Sequence, residues 1–300
     1  MYVLLGESLK SAIAQLRAAG VPSPRMNAEL LLMFTVGRDR AFLYGHPEQE
    51  LSADEQSRYT DALNRRASGV PAQYITGHQE FWGMDLIVSP AVLIPRPETE
   101  HVIETVLDRV APALGLSKGR TFLSDQPSSK SHSSFRIADV GTGSGCIALA
   151  LAKELPHAEI TAIDISTAAL EIARANAARL ELEFRIRFYE ADLLTGFGPD
   201  SFDFVVSNPP YVGESEEDSV QLDVRKFEPR NAVFAGHQGT EVIERLVPQA
   251  HEVLKPGGWL VMEISGTIAE QVRELLADWH EVQITNDLQH IPRVVSAQKV

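Results

Sequence analysis

Residues 136–150 read RIADVGTGSGCIALA. Ile137, Ala138 and Val140 form a short run of apolar β-formers. The next five positions alternate glycine with small polar residues, and Cys146-Ile147-Ala148-Leu149-Ala150 then turns helical in character. Strand, glycine turn and helix in that order open an α/β unit. Glycine lets the chain turn sharply and brings backbone close to a ligand, because no Cβ stands between them. In an open α/β sheet the crevice beyond the first strand's carboxyl end is where ligands bind.

The loop itself, Gly141-Thr142-Gly143-Ser144-Gly145, narrows the ligand. The dinucleotide fingerprint Gly-x-Gly-x-x-Gly needs a third glycine where this chain has Cys146,. An uncharged or zwitterionic adenosyl group fits better than a pyrophosphate; a tight turn with no ligand is the alternative. Downstream, the runs Glu159–Ile163, Phe184–Phe188, Phe202–Val206 and Trp259–Ile264 read as strands. Helical stretches such as Ala168–Leu180 and Thr240–Leu254 lie between most of them. Such alternation predicts a mostly parallel sheet with helices on both faces. Glu281–Thr285 and Arg293–Gln298 have no helix between them and are expected to close the sheet as an antiparallel pair, making seven strands.

Upstream the texture differs. Residues 1–70 are expected to form a small helical bundle. Leu9, Ile13 and Leu16 recur at helical spacing, a second helix carries Leu30, Leu31, Met33 and Phe34, and a third starts at Ser52 with Glu55 completing a capping box,. Residues 71–95 are punctuated by Pro71, Gly77, Gly83, Pro90 and Pro95 around Leu86-Ile87-Val88, which predicts a β-hairpin linker. Residues 96–300 then form the main α/β domain, with a Ser-rich, nearly apolar-free segment at 115–134 read as a flexible surface insertion.

Acids follow two strands at the expected carboxyl edge. Asp164 ends the second strand about twenty residues after the glycine loop, where a carboxylate accepts from both hydroxyls of a ribose; its bland role is to cap the following helix. Asp192 ends the third strand and could accept from an adenine amino group, with Leu193 covering the ring. Solvated loop acids are common, so neither reading of Asp192 excludes the other.

The fourth strand runs into Ser207-Asn208-Pro209-Pro210-Tyr211. Two prolines end strand pairing, since neither has an N–H. The Asn208 side chain offers a carbonyl and two donors, and the Pro209 carbonyl is a second acceptor. Together they could hold both hydrogens of a planar –NH2 group while Tyr211 stacks on its face. An amide nitrogen is a weak nucleophile because its lone pair is delocalised; drawing its hydrogens out of plane would partly restore it. A Pro-Pro turn and nothing more is the alternative. Cys146 has no nearby histidine and reads as a small packing residue, and the nine histidines show no ligand spacing, so no metal is expected,.

Asp139–Gly145, Asp164 and Asn208–Tyr211 resemble the class I S-adenosylmethionine-dependent amino-methyltransferases, whose Rossmann-like sheet the predicted strands match. More specific are Pro71-Ala72-Gln73-Tyr74-Ile75-Thr76-Gly77, Glu80-Phe81-Trp82-Gly83, Ile94-Pro95-Arg96-Pro97-Glu98-Thr99-Glu100 and Glu228-Pro229-Arg230-Asn231-Ala232. They are similar to the release factor glutamine N5-methyltransferases of the HemK/PrmC type, over essentially the whole chain. The resemblance implies S-adenosyl-L-methionine as cofactor and the glutamine of the Gly-Gly-Gln tip of class I peptide chain release factors as substrate. Asn208 and Pro209 would hold the glutamine amide, with Pro210 and Tyr211 completing the motif. Gly141, Thr142, Gly143, Ser144, Gly145, Asp164, Asp192, Leu193 and Asn208 would hold the cofactor. The helical domain would help dock the release factor. Two features depart from the family pattern: the insertion at 115–134 is longer, and Glu263-Ile264-Ser265-Gly266 replaces a usual Glu-Ile-Gly. Arg96, Glu98 and Glu263 receive no defined role.

Bulk properties agree. Lys plus Arg number 27 against 41 Asp plus Glu, a net charge of −14. That field repels polyanions and disfavours direct nucleic-acid binding. A single cysteine precludes an internal disulfide, no signal peptide is expected, and no apolar run reaches membrane length,. A cytoplasmic monomer is expected. The rival readings are a ribosomal-protein glutamine methyltransferase or a DNA/RNA exocyclic-amine methyltransferase using the same clamp. An NAD-dependent oxidoreductase or a non-catalytic binding module would leave the Asn-Pro-Pro-Tyr segment idle.

Overall fold

The computed structural model describes residues 3–114 and 134–300. The expected insertion at 115–134 therefore lies, up to position 133, outside the described residues. The chain divides into two compact units, Met1–His78 with Gln221–Phe227, and Gln79–Val220 with Glu228–Val300.

The first unit is helical: α1 (Leu5–Ala18), α2 (Pro24–Val36), α3 (Arg40–Gly45), α4 (Ala53–Ala67) and α5 (Ala72–Thr76), with two short paired strands, β1 (Val3–Leu4) and β2 (Glu50–Leu51). Leu5, Leu9, Ala12 and Leu16 line one face of α1 and pack against Ala28, Leu31 and Leu32 of α2 and Tyr59, Ala62 and Leu63 of α4. The capping box at α4 is complete: the Ser52 hydroxyl accepts from Glu55 N, and Ser52 N donates to Glu55 Oε2 at 2.8 Å. The expected inner stripe of α2 is out of phase, since Leu32 is buried while Phe34 is 49% exposed. Residues 30–34 read LLLMF, with no polar residue to mark the outward face, so periodicity could not choose between them. Arg66 is buried in this unit, where Asn27 Oδ1 accepts from its Nε at 2.8 Å and Asp223 lies 3.6 Å from its guanidinium.

A hairpin follows, β3 (His78–Phe81) and β4 (Met84–Ile87), which belongs to the second unit from Gln79 onward. Its two turn residues, Trp82 and Gly83, have φ of 52° and 66°, the left-handed pair that matches strand twist in a two-residue hairpin. Trp82 tolerates this because both of its N–H groups are engaged, the main-chain one by Glu100 and the indole one by Glu154.

The sheet is built from β5 (Arg136–Val140), β6 (Glu159–Asp164), β7 (Ile186–Glu190), β8 (Phe202–Ser207), β9 (Leu254–Glu263), β10 (His280–Asn286) and β11 (Pro292–Gln298), in the order β10-β11-β9-β8-β5-β6-β7. Neighbours among β5 to β9 are parallel, and β11 pairs antiparallel with both β9 and β10. The helices are α6 (Glu100–Val110), α7 (Cys146–Glu154), α8 (Thr167–Arg179), the short α9 (Leu222–Phe227, part of the first unit) and α10 (Arg230–Val233), then α11 (Glu241–Val253) and α12 (Ala269–Leu275). Two buried clusters lie on opposite faces of the sheet, and single strands feed both. Ile137, Phe204, Val206 and Val261 join one cluster; Ala138, Val205, Leu260 and Met262 join the other. A parallel sheet covered on both faces requires this alternation of wholly apolar residues. The chain proceeds outward from β5 to β7 and then returns to place β8 on the other side of β5, so the topological switch lies between β5 and β8,. Among the described residues no helix is long and apolar enough to cross a membrane.

Candidate active site

The carboxyl ends of β5, β6, β7 and β8 open into a cleft of about 330 Å³. Gly141, Thr142, Gly143 and Ser144 line it, as do Asp164, Asp192, Leu193, Asn208 and Pro210. The structure thus brings together residues spread over nearly seventy positions of sequence. Gly145, Pro209 and Tyr211 are not among its lining residues.

The glycine loop is held mainly by the neighbouring strand. Gly141 N and Thr142 N both donate to the Ile163 carbonyl, and Gly143 N donates to Asp164 Oδ2 at 2.9 Å. Gly141 has φ of 71°, and a Cβ there would meet nothing within 4 Å, so its backbone faces the open cleft. Gly145 serves packing instead. It caps α7 with φ of 84°, and a Cβ would stand 3.2 Å from Ala173 Cβ and from Leu149 Cδ1. The third glycine is needed because side chains of two helices crowd the place of its Cβ.

Asp164 does not cap α8; that role belongs to Ser166, whose hydroxyl accepts from Ala169 N. The second oxygen of Asp164 accepts from Ser166 N at 2.9 Å, so the carboxylate spans the glycine loop and its own turn. Each oxygen keeps a further lone pair for a ligand. Burial pushes its pKa up. Ile165 follows, lining the cleft with 59% of its surface exposed. Asp192 is paired with Arg245 at 2.5 Å. Leu193 stands on the rim with φ of 54°, a costly conformation for a non-glycine residue and one that concentrates at ligand sites.

Asp139, at the end of β5, is fully buried and takes hydrogen bonds from Thr142 Oγ1 at 2.6 Å and Ala148 N at 3.0 Å through one oxygen, Oδ2. Its other oxygen has no hydrogen-bond partner among the described residues. Burial raises its pKa to about 7. The Cys146 thiol is pushed up to about 12, chiefly by burial, so it stays protonated and fits the packing role expected of it.

On the opposite side, Asn208 Nδ2 donates to Thr99 Oγ1 at 3.0 Å, which leaves the Asn208 side-chain carbonyl for a ligand,. The Thr99 hydroxyl in turn donates to Glu263 Oε2 at 2.6 Å, and the Tyr211 hydroxyl donates to Glu263 Oε1 at 2.9 Å. Tyr211 is thus tied by its hydroxyl to the buried Glu263 rather than lining the cleft. The loop backbone is clipped to the end of α10 and the residues just after it: Val212 N donates to Val233 O, and Ala235 N donates to Val212 O. Gly239 backs the same loop closely, since a Cβ there would fall 2.6 Å from the Tyr211 carbonyl.

A further wall comprises Val92, Leu93 and Pro95 from one segment, with Pro229, Asn231 and Phe234 from another. Glu228, buried, joins the two by accepting from Ile94 N at 3.2 Å and from Arg96 at 2.5 Å.

The sequence and the fold match a defined set of known proteins. A family model described as the PrmC N-terminal domain matches residues 7–77, and one described as a methyltransferase small domain matches 115–225. The release factor glutamine methyltransferase of Koribacter versatilis is 53% identical over 98% of this chain and 98% of its own. The chain belongs to the release factor glutamine methyltransferase family. The Escherichia coli member is 39% identical over 93% of each chain. The crystal structure of the hMettl16 catalytic domain in complex with an MAT2A 3'UTR hairpin superposes with a TM-score of 0.54, covering 95% of this chain and 90% of that one at 15% identity. At that identity the likeness establishes the shared sheet architecture.

Within this release factor glutamine methyltransferase family fold, four site residues escaped sequence reasoning. Thr99 and Glu263 carry the Asn208 network. Glu228 is the clasp between two walls. Asn176 of α8, fully buried, donates to the carbonyls of Ile87 and Ser144 and accepts from Ile87 N, tying the hairpin to the glycine loop. One signal was available: Glu263 is a carboxylate inside the otherwise apolar run WLVMEI, and a charge in a strand buried on both faces needs partners.

Proposed function

We propose that this enzyme transfers a methyl group from S-adenosyl-L-methionine to the side-chain N5 of the glutamine in the Gly-Gly-Gln motif of class I peptide chain release factors, in support of translation termination. The observation that carries this reading is Asn208: its amide is tethered through Nδ2, so its Oδ1 is an acceptor held at the edge of the glycine-loop cleft.

The residues present fit the donor. At Gly141 the space a Cβ would take is open to the cleft. Asp164 retains lone pairs for ribose hydroxyls, and Ile165 and Leu193 offer apolar faces to an adenine ring. The cleft carries Asp164 and Asp192, and the Arg245 guanidinium is already paired with Asp192. That balance suits a sulfonium better than a phosphate. When bound, the donor supplies a methyl group already activated on sulfur. Asn208 Oδ1 and the Pro209 carbonyl would accept hydrogen bonds from the two amide N–H groups and orient the nitrogen for in-line displacement. As the N–C bond formed, the C–S bond would break to release the thioether, and one amide proton would leave to solvent. Alignment thus supplies most of the catalysis.

The helical unit docks the release factor, and its exposed Met26, Phe34 and Tyr44 supply apolar surface for that contact. Release factors act in translation, which supports a cytoplasmic location. Peptide mass spectrometry on release factor incubated with enzyme and donor tests the reading. Wild type adds one methyl to the glutamine, while Asn208→Ala loses on the order of a hundredfold in rate and still binds donor. Transfer to DNA or RNA alone, or no donor binding, overturns it.

A further inference from the structure

Glu263 is 1% exposed and ends β9, the strand next to β8. A buried carboxylate is costly unless it is paired and hydrogen-bonded. Its two direct partners are neutral hydroxyls, those of Thr99 and Tyr211. Burial, with the nearby Glu98 carboxylate, pushes its pKa up, the two hydroxyls favour the ionised form, and the cation Arg293 is itself 2.8 Å from Asp287. An amide or an apolar side chain would sit at this position at lower cost in folding. The charge therefore answers a need other than packing.

That need lies in the direction of the hydrogen bonds. Both hydroxyls donate to the Glu263 carboxyl oxygens, and a carboxylate in its ionised form only accepts, so that form holds both hydroxyl protons on Glu263. Once the Thr99 proton is committed there, Thr99 Oγ1 can only accept from Asn208. Asn208 must then turn its Nδ2 toward Thr99 and its Oδ1 the other way. Were the Thr99 hydroxyl free to donate to Asn208, the amide could turn over. It would then offer –NH2 to the –NH2 of a glutamine, donor facing donor.

We infer that Glu263 is a positioning residue that sets the polarity of the chain Asn208–Thr99–Glu263 and thereby presents the Asn208 carbonyl to the substrate amide. The inference rests on the proposed role of Asn208 in holding glutamine. Tyr211 belongs to the same device, since it occupies the second carboxylate oxygen and keeps the first directed at Thr99.

Steady-state methylation of a release factor, with donor affinity and thermal unfolding measured alongside, tests this. Wild-type transfer to the release factor must be seen first; if there is none, the reading of function fails whatever Glu263 does. Glu263→Gln keeps shape and puts an –NH2 against one of the two hydroxyls, and kcat is expected to fall roughly ten- to a hundredfold. KM for the release factor and donor affinity should stay within about twofold, as the binding surfaces are untouched. Thr99→Val should lose kcat to the same extent, and Thr99→Ser, which restores the hydroxyl, should recover most of it. A merely structural Glu263 would instead lower the unfolding midpoint and leave kcat alone. Retention of wild-type kcat by Glu263→Gln or Thr99→Val, or no recovery with serine, overturns the inference. Should Glu263→Gln not fold, the Thr99 pair decides alone.

Discussion

The two sides of the cleft are built differently. The glycine-loop side is held largely by main chain from the adjacent strand, and its side-chain ties are short in sequence, Gly143 N to Asp164 across 21 residues and Asn176 to the Ser144 carbonyl across 32. The Asn208 side is held by side chains from remote parts of the sequence. Asn208 reaches Thr99 across 109 residues, Thr99 reaches Glu263 across 164, and Glu228 reaches Ile94 across 134. The first side is a turn that brings its own geometry. The second has no geometry until the whole sheet and the segment before α6 are in place. A generic nucleoside pocket can be local, whereas a clamp that must discriminate the orientation of an amide needs partners fixed from several directions.

Substitutions can break or sharpen that contrast. The largest effect on stability is expected from Arg96→Ala. It leaves Glu228 buried with only the Ile94 N–H, which should cost about 3 kcal/mol, read as a lowered midpoint in denaturant. Donor affinity should persist, because the glycine side does not depend on that clasp. Equal losses on both sides would show that the two are not separable. Asp164→Ala comes next. Donor affinity should weaken about tenfold, equivalent to ~1.4 kcal/mol, by calorimetric titration. KM for the release factor should stay near wild type, since no tie joins Asp164 to Asn208 among the described hydrogen bonds. Gly145→Ala is expected to be smallest, about 1 kcal/mol of stability, with donor affinity kept because that glycine faces Ala173 and not the cleft.

Legibility in the sequence followed the same division. The glycine loop, the acid after β6 and the alternation of strand and helix were all readable, because each depends on contiguous residues with a fixed period or spacing. The third strand was placed at Phe184–Phe188 but runs Ile186–Glu190; Phe184 is 94% exposed, and apolar character alone could not show that it lies outside the strand. Asn208 is legible from the two prolines that follow it, whereas nothing local shows that the Tyr211 hydroxyl is bonded to Glu263. Phe34 was assigned to a core that takes Leu32. In each case the missing information was which neighbour packs alongside, and no local pattern carries that.

What the sequence determined by itself is the order of strands and helices, the glycine turn and the chemical types gathered at the strand ends. These follow from backbone propensity and side-chain period, which act over a few residues. Only the tertiary structure decided that Thr99 and Glu263 stand behind Asn208, that Glu228 and Asn176 buckle distant loops, and that Gly145 serves helix packing. Burial makes those choices. A polar group removed from water must find a partner wherever the fold brings one, and the fold brings it from a hundred or more residues away.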